Sequence, residues 1–244
     1  MDDTRIGGAS SKFPATHRSA IVASGSAEPE ERRRAFEKIV AAYWKPVYTF
    51  IRFKWPQSNE DAKDLTQAFF TRAMEKGFFK DYRPEKASFR TFVRTCVMNF
   101  IINESKSANR LKRGGGVETV TAQEALDEAE EPSTPSLDEF FEREWVRHMF
   151  ELAVDDLREM CNAKSKATHF AIFERYDLGA EKTAYADLAV EFGMALTDVT
   201  NYLAWSRREF RRLVLERIRE ITGDDTEFRN EARVILGAGR DHLG

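Results

Sequence analysis

The chain has 244 residues, 42% of them hydrophobic and 32% charged, with a formal net charge of −3; this is the composition of a globular protein and excludes an intrinsically disordered one. No apolar run approaches the roughly 18 residues of a bilayer span, so no membrane partner is expected. With two cysteines, Cys96 and Cys161, there is no disulfide framework.

The near-neutral total conceals an alternation along the chain. Between Asp81 and Arg113 there are eight basic residues against three acidic ones, and between Gly114 and Glu144 one against ten. From Trp205 to Arg219 six arginines face two glutamates. Two basic regions therefore flank an acidic one, a pattern of charge that bears on partners rather than on fold. The four histidines are scattered singly, neither cysteine has a second ligand at metal spacing, and no phosphate-binding glycine motif or hydrolase motif occurs. No cofactor, metal or catalytic residue is expected, and the chain does not read as an enzyme.

Residues 1–29 are polar and lack the apolar core of a secretory signal, which predicts a disordered cytoplasmic leader. Phe36, Ile39, Val40, Tyr43, Val47, Phe50 and Ile51 then recur at helical spacing, with Pro46 marking a kink or restart and Pro56 the end. Asp61 to Lys76 begins with acidic residues, as a helix N-terminus prefers, and Gly77 closes it. The clearest stripe is Phe89, Phe92, Val93, Cys96, Val97, Phe100 and Ile101, with Arg90, Arg94, Asn99 and Asn103 off it.

Three glycines at 114–116 and an acidic, proline-containing stretch predict a flexible linker over 114–135. A second helical domain, 136–222, opens on a capping box at Ser136 and Glu139, ahead of Phe141, Trp145, Met149 and Leu152 on one face. A further helix covers Ala167 to Tyr176. Tyr185 to Gly193, followed by Met194 to Trp205, has the layout of a helix-turn-helix, with Gly193 at the turn and Leu196, Val199 and Leu203 sealing the second helix onto the first. The tail, 223–244, carries Phe228, Val234, Ile235 and Leu236 at helical spacing and is expected to cap this second domain. The fold class expected is all-α: two helical domains, 30–113 and 136–222, joined by the acidic linker.

A helix-turn-helix offers its second helix to the major groove, and the arginines from Arg207 onward would anchor phosphates. Candidate contacts are Thr200, Asn201, Trp205, Arg207 and Arg208; a helical hairpin with a solvated basic face is the plainer alternative. The basic helix from Phe89 could follow a backbone and hold an unstacked base, although aromatic residues at that spacing are more often core. Asp61, Asp64 and Gln67 share one side of their helix, either as an acidic patch for a basic partner or as ordinary stabilisation of the helix dipole.

Three motifs then converge on a family. Tyr43 to Arg52, Glu60 to Phe70, and Ser88 to Val93 with Asn99 and the basic, glycine-rich run to Gly116 resemble region two of bacterial sigma-70 factors of the extracytoplasmic-function type. Tyr185 to Arg212 is similar to region four. The resemblance implies a dissociable subunit that binds core RNA polymerase, at the β′ clamp helices and the β flap, and directs it to promoter DNA. It assigns Asp61, Asp64, Gln67 and Phe70 to the polymerase. To the non-template strand of the minus-ten element it assigns Phe92, Asn99, Asn103, Lys106 and Arg110, and to the minus-thirty-five duplex the helix-turn-helix residues above. Lys63 and Ala68 stand where the family often has acidic residues, and phosphorylation of Thr66 would restore negative charge there. An anti-sigma factor, a Ser/Thr kinase and the tail stand as alternative restraints. The other readings are a helix-turn-helix regulator that works without polymerase and a helical interaction module.

Overall fold

A computed structural model describes residues 19–55, 58–112 and 136–242, with side chains described to residue 106 in the fourth helix and to residue 237 in the last. Most of the expected leader, Pro56, the linker 114–135 and the side chain of Arg110 lie outside the described residues. Among the described residues the secondary structure is helical throughout, and the expected all-α class holds.

The described part of the leader is structured from Ser19. Its Oγ accepts the N–H of Val22 and caps α1, Ala20–Ala23, which buries Ala20, Ile21 and Ala23. Helix α2, Pro29–Lys54, starts on a proline, whose missing N–H costs nothing in a first turn. It runs through Pro46 without a restart, and that ring is buried in the core. Helix α3, Asn59–Lys76, is capped by Ser58 Oγ, which accepts the N–H of Asp61 at 3.1 Å. It ends at Gly77 with φ 64°, the left-handed conformation that favours glycine. A 3-10 turn, Phe78–Asp81, leads to α4, Phe89–Lys112.

After residues 113–135, α5, Leu137–Ala163, opens on the expected capping box, with Glu139 N–H donating to Ser136 Oγ and Ser136 N–H to Glu139 Oε2. Helix α6, Ala167–Phe173, passes into a π turn, Glu174–Leu178. Helices α7, Tyr185–Glu191, and α8, Leu196–Glu220, form the helix-turn-helix, and α9, Asp225–His242, is the tail.

Two cores follow from this order, and the division between them does not fall at residues 113–135. The large core joins Ile39, Tyr43, Val47, Phe50, Phe69, Phe89, Val93 and Val97 to Phe141, Trp145, Met149, Leu157, Val214, Ile218 and Ile235. Tyr43 stacks on Trp145 at 6.4 Å, and Phe50 meets Phe141 edge-on at 5.4 Å. Burying such side chains stabilises by about 1.5–3 kcal/mol each, so α5 is part of the same hydrophobic unit as α2 and α4. The small core holds Ile172, Leu188, Val199 and Leu203. Helix α8 belongs to both: its first half completes the helix-turn-helix, and Phe210, Leu213, Val214 and Ile218 in its second half enter the large core. The side chains of the large core thus come from both sides of residues 113–135.

The tail, α9, packs beside the C-terminal half of α8, within 136–222, and also reaches the start of α4. Glu227 Oε1 accepts the hydroxyl of Tyr82 at 2.5 Å and the N–H of Phe89 at 3.0 Å, while its Oε2 accepts the N–H of Gly223 at 2.7 Å.

Candidate functional site

Helix α3 presents Asp61, Asp64 and Gln67 to solvent. Asp61 is partly committed to the helix start, since its Oδ2 accepts from Ser58 Oγ at 2.6 Å; the serine three residues ahead of it is the signal that sequence reasoning passed over. Asp64 and Gln67 share the free face with Ala68, Thr71 and the half-exposed Met74. Phe70 is not on that face. It is 3% exposed, stacked on Trp44 at 5.8 Å, and so supports α3 from below instead of reaching a partner. Thr66 is fully buried, with its hydroxyl donating to Ala62 O at 2.7 Å. A kinase has no access to it, and the idea that phosphate supplies charge there is withdrawn.

On α4 the structure separates the expected residues into two groups. Asn99, Asn103 and Lys106 are exposed and lie at i, i+4 and i+7, one stripe about 10 Å long at 1.5 Å per residue. Phe92 is half-buried in an aromatic cluster, 5.4 Å from Tyr82 and 6.1 Å from Phe89. Its exposed edge lies on the same side of the helix as the asparagines, but most of the ring is core. Arg72, from α3, pairs with Glu104 at 2.7 Å and lies over the Phe100 ring at 5.1 Å. This ties α3 to α4 beneath the stripe.

In the helix-turn-helix, Gly193 has φ 62°, and no atom lies within 4 Å of where a Cβ would be. Glycine is therefore required by backbone conformation, not by space. Val199 and Leu203 seal the helices together, but Leu196 is 52% exposed and does not. Thr200, Asn201 and Arg208 face solvent; the Thr200 hydroxyl donates to Leu196 O at 3.0 Å. Trp205 is half-buried, edge-on to His169 at 5.1 Å with Lys166 Nζ over its ring at 4.9 Å.

Arg207 differs from Arg208. Its Nε and guanidinium nitrogen donate to both oxygens of Asp177 at 2.7–3.2 Å, and it lies over Tyr176 at 5.3 Å. The bond to Asp177 raises its pKa further and fixes it as a structural cation that holds the π turn against α8. Of the expected pair, Arg208 is the one exposed to solvent, with only a long 3.9 Å pairing to Glu209.

The acidic face of α3 and the polar stripe of α4 thus lie on adjacent helices that pack into one core. Residues 39–111 match the model of the family described as Sigma-70 region 2. That segment is similar to region 2 of the sigma-70 factors. No curated protein and no solved structure matches the chain. Region 2 spans the greater part of α2 and all of α3, and ends within the last turn of α4; it supports a sigma factor of the sigma-70 family, with a role in binding RNA polymerase and melting promoter DNA. The helix-turn-helix lies outside the matched span. Among the described residues no group of His, Cys, Asp or Glu is arranged to hold a metal, and no helix is long and apolar enough to cross a membrane.

Proposed function

We propose that the chain is a sigma factor of the extracytoplasmic-function type, which binds core RNA polymerase and directs it to the promoters of a specific set of genes. One observation carries this reading: a helix-turn-helix with a solvent-facing second helix follows a region 2 in the same chain. Asp61, Asp64 and Gln67 meet the β′ clamp helices, a basic partner suited to an exposed acidic face. Asn99, Asn103 and Lys106 take the melted non-template strand, with Phe92 beside them; amide groups can read unstacked base edges, and the lysine neutralises a phosphate. Thr200, Asn201 and Arg208 meet the minus-thirty-five duplex, where an amide can pair with adenine and the arginine anchors the backbone. The protein breaks no bond; it supplies differential binding energy to the polymerase, in the cytoplasm where the nucleoid lies.

The test is reconstitution. Purified protein mixed with core RNA polymerase and a library of genomic promoters should give initiation at a discrete set of sites. Specific duplex binding without polymerase, and no initiation with it, would favour a conventional helix-turn-helix regulator instead.

A further inference from the structure

Three residues of α8 follow one another along one side of the helix: Asn201, Trp205 and Arg208, at i, i+4 and i+7, which fall within about 60° of helix face. Asn201 and Arg208 are exposed, whereas Trp205 is half-buried. What covers it comes from the start of α6. Lys166 Nζ lies 4.9 Å over the Trp205 ring, and the His169 imidazole meets that ring edge-on at 5.1 Å. His169 also lies flat on Tyr202, with centroids 3.7 Å apart and planes 13° from parallel. Ser206 Oγ donates to the main-chain oxygen of His169 at 3.1 Å and fixes α6 at this register of α8.

Closure of the two cores does not call for this stack. The small core is sealed by Ile172, Leu188, Val199 and Leu203, each at most 1% exposed, with Tyr202 at its margin, while Trp205 borders the large core. His169 bridges the two margins and stays partly exposed. Burial first, and then Lys166, lowers its pKa, so the imidazole is neutral at neutral pH and forms with Tyr202 and Trp205 an uncharged aromatic wall. Lys166 has no ion-pair partner among the described residues, and its ammonium group stands at the edge of that wall.

We propose that this wall sets a sequence preference: the exposed part of Trp205 takes the 5-methyl group of a thymine in the major groove, the His169–Tyr202 stack positions the indole, and Lys166 holds a flanking phosphate. The inference rests on the reading of the helix-turn-helix as a duplex reader. Thymine alone of the four bases offers a methyl group in the major groove, and apolar side chains recognise it by contact. Four residues of helix separate Asn201 from Trp205, about 6 Å, or about two base-pair steps of duplex. The thymine therefore lies within about two base pairs of the adenine that pairs with Asn201. A cation at the end of the wall meets the backbone there and fixes the register of the helix in the groove.

The experiment uses the full chain, alone and with core RNA polymerase, on duplexes selected from a randomised pool. In the preferred duplex each thymine is replaced in turn by deoxyuridine, which removes the 5-methyl group and nothing else. At one thymine, within about two base pairs of the adenine that Asn201→Ala ceases to distinguish, wild type should bind the uracil duplex about fourfold less tightly, the worth of one buried methyl group. His169→Ala should bind the two duplexes equally, and His169→Phe, which keeps a ring in the stack, should restore the fourfold difference. Lys166→Ala should weaken binding to every duplex and reduce the slope of log affinity against log salt by about 1, with the methyl effect intact. Wild type that distinguishes thymine from uracil at no position would overturn the wall while leaving the helix-turn-helix as a duplex reader. So would a His169→Ala variant that binds both duplexes less tightly by one common factor, since a merely structural ring would behave that way. A pool that yields no preferred sequence, with or without polymerase, would overturn the duplex reading itself.

Discussion

Glu227 accepts the main-chain N–H of Phe89 at 3.0 Å across 138 residues of sequence, so the tail caps the first turn of the helix that carries the asparagine stripe. The same carboxylate takes the hydroxyl of Tyr82 and the N–H of Gly223, three donors for one buried acceptor. Glu227→Ala leaves all three without that partner in a site that is 7% exposed, at a cost of about 1–3 kcal/mol for each donor that stays buried and unsatisfied. Tyr82→Phe removes one donor and should cost about 0.5–1.5 kcal/mol. Urea denaturation of both variants checks the order; a larger loss for Tyr82→Phe would mean that Glu227 is satisfied by other means.

Four residues further on, the carboxyl of Glu231 is pushed up to about 7, by burial first, with Arg90 opposing and Glu227 and Glu142 reinforcing the rise. A raised pKa means that the folded state holds the proton more tightly than the unfolded chain. The associated stability is therefore full below the ordinary value of 4.5 and is lost as pH climbs through about 7. Stability measured from pH 5 to pH 8 should fall more steeply in wild type than in Glu231→Gln, which has no proton to lose. Parallel curves would show that Arg90 keeps the group ionised throughout.

The two thiols offer a check on packing. Cys96, half-buried on the inner side of α4, is pushed up to about 11 by burial and then by Asp81; Cys161 is buried at the end of α5, and burial raises it too, against Lys166 and Lys164. Since the thiolate is the reactive form, both should resist alkylation at pH 8 in the native protein and react rapidly in denaturant. Fast native labelling of Cys161 would contradict the packing of α5 on α8.

Local rules recover much of this molecule from sequence. The stripe from Phe89 to Ile101 fixes α4, Ser136 and Glu139 fix the start of α5, and Gly77 and Gly193 fix two ends, because each signal is complete within a few residues. What periodicity cannot convey is which apolar face meets which. The glycine-rich linker reads as a boundary between domains, yet Tyr43 and Phe50 pack against Trp145 and Phe141 across it. Glu227 and Glu231 look like the polar side of an amphipathic tail because their partners, Tyr82, Phe89 and Arg90, lie more than 130 residues away. Of the candidate contacts, Asn99, Asn103 and Arg208 stand exposed, whereas Phe70 and also Thr66 fall on the inner face of α3, a matter of about 100° of helix rotation per residue.

Arg207 and Arg208 provide the sharpest separation of structure from binding. Arg208 is exposed, beside Glu209 at 3.9 Å, so Arg208→Ala should leave the unfolding midpoint nearly unchanged. If it anchors one phosphate, the same change should weaken duplex binding across sequences and reduce the slope of log affinity against log salt by about 1. Arg207→Ala should do the reverse. Asp177 is 4% exposed, and without its bidentate partner it becomes a buried, under-satisfied carboxylate, costing about 1–3 kcal/mol. That loss falls on the π turn and the small core, so it should appear in thermal unfolding of the helix-turn-helix, with the salt slope of the folded protein unaltered. A reduced slope in Arg207→Ala at full stability would mean that the guanidinium leaves Asp177 for DNA, and the ion pair would then be a switch instead of a brace.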